Sequence, residues 1–533
     1  MRYTVLALTI FTAPLVADSD ASRLDRLEAL LLTQQKRIEK LEAEISRQRT
    51  LIEILQPRAD SAEMQGSLEV ASYRSSSALV VVSAPQEPVA EKTASPLRFQ
   101  LGGASLTPFG FVDYAVYLRD QTAASGVGTN FGAIPFNDSV NGNLRERRTT
   151  AQGTRLGLRV DSTLKGWNLL GYVEADFLGL IPTNVAVSSF SDTFRLRLGF
   201  LDARKGQFEF LAGQAFSLMT PNRKGVSPLP SDVYTGLDID PNYNVGLVWT
   251  RAPQFRFAWH PNPVFSLAAS AETSEQYGGG INGAGAVTLP PQLGKAYDAQ
   301  LNTGSAGLAV PTSRLDNIVK AALDLHPGGR SLHLEASGLL RTFAFYNPYT
   351  KRNFDTYGGG ASVNVSHELT RNFRLLANTF FGNGGGRYLF GQGPDVVIRV
   401  DGSPELVRSH SGLAGFEYQI SPRLMVYANY GFYYIGRRTV IDQETGKPIG
   451  YGYTGSPDSH NRVIHEPAAG ISFSIFKNPE FGALMLQSQY AYFIRHPWYV
   501  APGRPGGADN NTLYLNVRYV LPGSPPPGPT WKR

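Results

Sequence analysis

The 533-residue chain contains no cysteine, which excludes thiolate metal sites, cysteine nucleophiles and disulfides together. A small secreted domain would ordinarily want disulfides, whereas a large barrel closes its own edges without them. Charge is sparse too, with Asp, Glu, Lys and Arg making up only 18% of the residues. No run of 18 or more apolar residues occurs, so helical membrane spans are excluded. A membrane-crossing barrel needs no such run, because half of its strand residues face a polar lumen, and the mean hydropathy of −0.18 is compatible with one. The chain also lacks a Gly-x-Ser-x-Gly elbow, a His-Glu-x-x-His pair and a phosphate-cradling loop ending in Lys-Ser or Lys-Thr. These absences point away from an enzyme and from any cofactor or metal. No basic helix or arm is present, and the basic charge is dispersed, which argues against nucleic acid as a partner.

What is present begins with a secretion signal over residues 1–21. Arg2 opens it, Tyr3 to Val16 is an apolar stretch too short to anchor, and cleavage is predicted after Ala17 or Ala21, the latter fitting better through Ser19. The alternative is an apolar leader on a cytosolic protein. Residues 22–56 then follow a heptad. Leu24, Leu31, Ile38, Ile45 and Ile52 form one seam row, and Leu27, Gln34, Leu41, Gln48 and Leu55 the other. So short a helix is marginal alone, so the pattern predicts self-association as a coiled coil ending at Pro57. Ile in one row and Leu in the other favour a dimer, but the two Gln layers leave dimer and trimer open. A single amphipathic helix packed on a barrel mouth is the alternative. Residues 57–101 are rich in Ser, Ala, Pro and Glu and read as a linker.

From Gly102 to residue 522 the period changes to two. Arg155, Gly157, Arg159 and Asp161 alternate with Leu156, Leu158 and Val160. Arg195 and Arg197 stand against Leu196, Leu198 and Phe200, and Tyr514, Asn516 and Arg518 against Leu513, Leu515, Val517, Tyr519 and Leu521. A soluble sandwich alternates as well; the connections separate the two architectures. Short joins at 164–166, 204–207, 260–263, 326–331, 367–371, 420–423 and 477–482 alternate with long ones at about 119–145, 179–192, 217–243, 275–313, 346–355, 382–410, 437–462 and 496–511. Seven short and eight long joins predict an all-β fold, a sixteen-stranded antiparallel transmembrane barrel with both ends on the short-turn side. Tyr243 to His260 is taken as one strand despite Pro253, and Arg251 and Arg256, five apart, share a face only if a bulge flips the register there. Residues 523–533 form a proline-rich tail.

Several stretches carry a family likeness: Thr154 to Gly157 (Thr-Arg-Leu-Gly), the acidic pair Glu174 and Asp176, Ala212 to Gln214 (Ala-Gly-Gln), and Arg251 to Gln254 (Arg-Ala-Pro-Gln). Over roughly 150–260 the chain resembles the DcaP-like trimeric outer-membrane porins, which also carry a coiled coil before the barrel. The resemblance implies a homotrimer in the outer membrane, with the arm in the periplasm, passing small anionic solutes such as dicarboxylates. The tail after Tyr519 and Leu521 departs from it, since no aromatic residue ends the chain.

Parity selects the candidate pore residues. Arg145, Arg147, Arg155 and Arg159 are expected on the inner face of the second strand and Arg195 and Arg197 on that of the fourth, with Arg251, Arg341, Arg374 and Arg518 also inward. Charge facing lipid costs about 2–4 kcal/mol at the midplane, which drives such residues to the lumen. There they would concentrate anions, or else brace the wall against Glu174, Asp176, Glu209 and Glu335. The third outer loop, with Arg223 and Lys224 beside Asp232, Asp238 and Asp240, is the candidate constriction, an ordinary surface loop being the alternative. His333 is expected inside a strand, facing inward, as a structural group. The combined expectation is a passive diffusion channel surrounded by outer-membrane lipid. Its rival is a tether or adhesin whose arm contacts the cell wall.

Overall fold

The computed structural model describes residues 95–122, 128–179, 192–228, 244–280, 285–303, 314–390 and 392–523, together with Gln35. The chain divides into two units, Met1–Ala90 and Glu91–Arg533. Of the first, only Gln35 is described, in α-helical conformation. The predicted signal peptide, the seam residues from Leu24 to Leu55, the linker up to residue 94 and the tail from 524 lie outside the described residues.

The second unit is a closed antiparallel barrel of sixteen strands. They are β1 (Ala104–Arg119), β2 (Arg155–Leu164), β3 (Trp167–Asp176), β4 (Arg195–Lys205), β5 (Phe208–Phe216), β6 (Arg251–Trp259), β7 (Phe265–Thr273) and β8 (Leu315–Leu325). The second half comprises β9 (Leu332–Asn347), β10 (Arg352–Thr370), β11 (Phe373–Asn383), β12 (Arg408–Ser421), β13 (Leu424–Ile435), β14 (Asn461–Asn478), β15 (Gly482–Pro497) and β16 (Ala508–Val520). Closure is made where β1 pairs with β16, from Phe111 opposite Val520 to Arg119 opposite Thr512. The free lower edge of β1 is covered by the short strand Phe99–Leu101, so no edge is left open there.

The burial pattern is inverted relative to a water-soluble protein. Leu201 and Phe255 on the outward face are 70% and 71% exposed, whereas Lys320, Arg341 and Glu417 on the inward face are 0% exposed. That arrangement is stable only if the surrounding solvent is apolar and the interior polar. It distinguishes a membrane barrel from a sandwich.

Turn chemistry explains the short joins. Lys165 and Gly166 both have positive φ, 50° and 79°, the type I′ geometry that suits the twist of a two-residue hairpin between β2 and β3. The fifth outer join differs from the sequence expectation. Only residues 348–351 separate β9 from β10, because Asn347 Oδ1 accepts from the N–H groups of Tyr349 and Thr350 at 3.0 and 3.2 Å and closes a tight Asx turn.

Register also departs from simple alternation in three places. Residues 151–154 leave the wall, so Glu146–Thr150 rejoins β1 with opposite parity to β2: Glu146 and Arg148 share the side of Arg119 and Tyr117, while Arg147 lies opposite Leu118. Between β3 and β4 the register shifts at Glu174 and Ala175, which sends both Arg197 and Leu198 inward. Leu198 and Phe200, expected toward lipid, are therefore buried inside with Tyr172 and Leu211. Finally, β6 starts only at Arg251, leaving Pro253 near its end, opposite Gln214 but one residue beyond the first pair with β7, Gln254 with Glu272. The ladder on that side loses nothing to the proline, and no bulge forms.

Candidate functional site: an ion-paired lumen narrowed by inward loops

The inner faces of β1 to β4 and β16 carry a continuous charged network. Arg518 donates to Asp113 at 2.8 Å. Arg197 donates to Glu174 at 2.8 Å and to Asp176 at 3.0 Å, and Arg195 grips Asp176 through both nitrogens at 3.0 and 2.7 Å. Arg155 lies 3.6 Å from Glu174, whose carboxylate also accepts from the Tyr172 hydroxyl at 3.0 Å. Arg159 forks onto Asp161 at 2.7 and 2.6 Å. The expected arginines Arg155, Arg159, Arg195, Arg197 and Arg518 thus share the inner wall with the acids, as the bracing alternative requires. The two charges of the Arg159–Asp161 pair are about equally presented, at 40% and 36%, but elsewhere they are not: the Arg195 side chain is 37% exposed while Asp176 beneath it is 1% exposed. Arg155 is likewise 11% exposed over Glu174 at 3%.

The segment after β5 enters the barrel. Arg223 reaches across to β12 and forks onto Glu417 at 2.8 and 2.6 Å, and Arg374 lies 3.6 Å from the same carboxylate while bonding Glu368. Lys320 donates to Thr220 O at 2.7 Å and to Glu335 at 3.1 Å, while the Asn222 and Gly225 amides donate to Glu335 and Asp324 at 3.1 and 2.8 Å. His333 bridges the two acids, 2.8 Å from Asp324 and 3.1 Å from Glu335. Lys224 is exposed and forms no ion pair among the described residues. Asp232, Asp238 and Asp240 lie outside the described residues.

The returning segment 244–250 packs against the far wall. Val245 N donates to Glu466 at 2.6 Å and Val248 N to Asn378 at 3.2 Å. Glycines permit the approach: a Cβ on Gly431 would stand 2.0 Å from Val245 O. The sixth loop joins it, Val248 bridging Leu389, with Arg341 holding Asp316 at 3.1 Å and Asp395 at 2.7 Å. Loops four and seven are tied at His460, which burial pushes down to about 4; its neutral ring accepts from Gly452 N at 3.0 Å and donates to Ala286 O at 2.8 Å. Together these loops narrow the outer half of the lumen around an apolar core that includes Leu247, Tyr388 and Phe390.

Three expected arginines lie elsewhere. Arg145 and Arg147 precede the parity break and are exposed, Arg147 on the outward side. Arg251 takes the outward parity of β6, its guanidinium 5.3 Å from the Trp249 ring centroid, and Arg256 is the inward residue, donating to Gln254 at 3.1 Å and to Phe216 O. Glu209 faces inward, 3.3 Å from His260. Sequence reading missed Arg119, Arg256, Lys320 and Arg495; for Arg256 the signal was there, in the flanking lipid-facing pair Phe255 and Phe257. Among the described residues no group of three His, Asp or Glu side chains is placed to hold a metal ion.

No family model matches the chain, and no curated protein is similar to it in sequence. Solved structures do match. The outer membrane channel DcaP of Acinetobacter baumannii superposes with a TM-score of 0.57 at 19% identity, covering 79% of this chain and 99% of that one. An anion-selective porin from Comamonas acidovorans matches at a TM-score of 0.44 and 13% identity over 78% of this chain and 100% of the other. Pseudomonas putida OprB matches at 0.44 and 11% over 78% and 94%. The barrel with its closed sixteen strands has the fold of the DcaP-type outer-membrane channel.

Proposed function

We propose that this chain is an outer-membrane porin for passive diffusion of small solutes, with a preference for anions of the dicarboxylate type. The observation that carries the preference lies on the inner wall between β3 and β4: Asp176 is 1% exposed and Arg195 above it 37%, so a solute passing there meets the guanidinium rather than the carboxylate. Lys224 adds a cation on the inward loop that no acid among the described residues offsets. Guanidinium forks match carboxylates in shape as well as charge, and a lumen narrowed by loops brings solute within their reach. No covalent step and no cofactor is needed. The heptad arm is proposed to hold three barrels together from the periplasmic side, and deletion of residues 22–56 should weaken the oligomer on size exclusion.

Reversal potential across a salt gradient tests the selectivity. Anion preference is expected for the native protein, and replacing Arg159, Arg195 and Lys224 together by Gln should lower the anion-to-cation permeability ratio about 3-fold or more, in line with local fields that change ion concentration about 10-fold. Cation preference in the native protein, or an unchanged ratio in the triple variant, would sink the arginine argument.

A further inference from the structure

The long-loop end of the barrel carries a second basic cluster, outside the wall. Arg408 opens β12, Arg437 follows the last residue of β13 by two, and Arg462 is the second residue of β14. Strand pairing sets them side by side. Gly436 N donates to Arg408 O at 2.7 Å, and Tyr434 pairs with Val463. All three are exposed, and none has an ion-pair partner among the described residues. Nearby Arg438 and Arg399 behave differently, lying 3.6 and 3.1 Å from Glu405.

An aromatic and imidazole shelf adjoins the cluster on the outward face. The Arg437 guanidinium sits 5.5 Å from the Trp498 ring centroid, and Trp498 Nε1 donates to Ile435 O at 3.0 Å. Tyr434 meets Trp498 edge-on at 6.0 Å and stacks on His410 at 5.8 Å. The Tyr430 hydroxyl is 2.8 Å from His465 Nδ1, and the His465 ring lies 6.3 Å from His496. Two acids on this outward side stand apart from the cluster: Asp509 on β16, two strands from β14, accepts from the Tyr492 hydroxyl at 3.1 Å, and Asp355 on β10, two strands from β12, lies 3.5 Å from Arg314.

Tyr and Trp rings of this kind mark head-group depth in a membrane, where the cost of outward charge falls to about 0–1 kcal/mol. Tolerance does not explain why three unpaired cations gather on adjacent strands. Strands about 4.8 Å apart set three such side chains within about 10 Å, a span that one phosphate-bearing sugar head group can bridge. Forked guanidiniums suit phosphate oxygens, and the imidazole and hydroxyl groups beside them supply further hydrogen bonds.

We propose that Arg408, Arg437 and Arg462 bind the phosphorylated saccharide head group of an outer-leaflet glycolipid, whose acyl chains lie along the apolar outward residues of β12 to β14. The proposal rests on the outer-membrane reading above. Its test is binding of purified bisphosphorylated lipid A to the full chain in detergent, followed by native mass spectrometry and by melting temperature. Bisphosphorylated lipid A should be retained and its dephosphorylated form lost. The triple variant Arg408→Ser, Arg437→Ser, Arg462→Ser should bind about 100-fold more weakly, roughly 5-fold per arginine. Replacing the ion-paired Arg399 by Ser should change nothing, and a triple Lys variant, which keeps the charge, should bind at an intermediate level. Gel migration before and after heating verifies that each variant is folded.

Equal retention of dephosphorylated lipid, unchanged binding by the triple Ser variant, or displacement by millimolar inorganic phosphate would each overturn the proposal. So would a change of oligomeric state in the triple variant, which would make the patch a contact between copies. Conductance measured on the same native preparation tests the channel reading separately, because these arginines stand outside the wall.

Discussion

Replacing Lys320 by Met should release the inward third loop and raise single-channel conductance. The Lys320 ammonium is fully buried and donates to Thr220 O at 2.7 Å, to Asn222 Oδ1 at 3.3 Å and to Glu335 Oε1 at 3.1 Å. Methionine fills a similar volume but takes the ammonium away from Glu335, leaving that buried carboxylate to His333 at 3.1 Å and the Asn222 amide. Breaking one side of a buried ion pair costs about 3–5 kcal/mol. The strand ladders around β8 and β9 are long and continuous, so the loss falls on the least firmly held element, residues 218–228. Trypsin reads the release directly, because Arg223 and Lys224 lie in that segment: cleavage between 223 and 225 should quicken in the variant. The double variant Lys320→Met, Glu335→Gln removes both charges and should recover much of the native conductance. Native-like conductance and protection in the single variant would mean that Leu218, Met219 and Val226 hold the segment by apolar packing alone.

The barrel itself was legible because two periodic signals agree. Alternation such as Arg155, Leu156, Gly157 and Leu158 sets the faces, and the sorting of joins by length sets strand number and direction. What escaped is local. Parity extrapolated through residues 151–154 assigned Arg147 to the wrong side, because a four-residue break changes which face the strand presents. At Arg197 one extra residue in the ladder did the same, turning Leu198 and Phe200 inward. The path of the third loop was not legible for a different reason. Its anchors lie far along the chain: Glu417 is 194 residues from Arg223, Glu466 is 221 from Val245, and Glu335 is 113 from Asn222. No local pattern encodes such partners. The acids Glu174 and Asp176 were legible through the family likeness and as bracing partners for the arginines. Their burial beneath the arginines could only be read from geometry.

Arg341→Leu should open the same lumen from the other side, and its effect should depend on pH in a defined direction. Arg341 is fully buried and holds Asp316 at 3.1 Å and Asp395 at 2.7 Å while donating to the Gly384 and Glu275 carbonyls. Its guanidinium also lies 5.5 Å from the centroid of Tyr388, whose hydroxyl donates to Asp316 at 2.7 Å. It therefore ties the sixth loop to β8 and β9, and its loss leaves the buried carboxylates of Asp316 and Asp395 without the guanidinium they share, again at about 3–5 kcal/mol. Asp395 belongs to the loop, and burial pushes its carboxyl above the usual range even with Arg341 opposing that shift. A carboxyl raised by folding stabilises the docked loop when protonated, so its contribution is present at acid pH and is lost as pH climbs through the raised value. Without the guanidinium the shift grows, and loop docking becomes conditional on the proton. The variant should conduct more than the native channel at neutral pH and return toward native conductance as the pH is lowered through the raised range of Asp395, following the charge on that carboxyl. Adding Asp395→Asn should abolish that pH dependence and restore the smaller conductance at neutral pH. A variant whose conductance rises on acidification, or matches the native channel at every pH, would show that the sixth loop is held by Val248, Leu389 and their apolar neighbours rather than by Arg341.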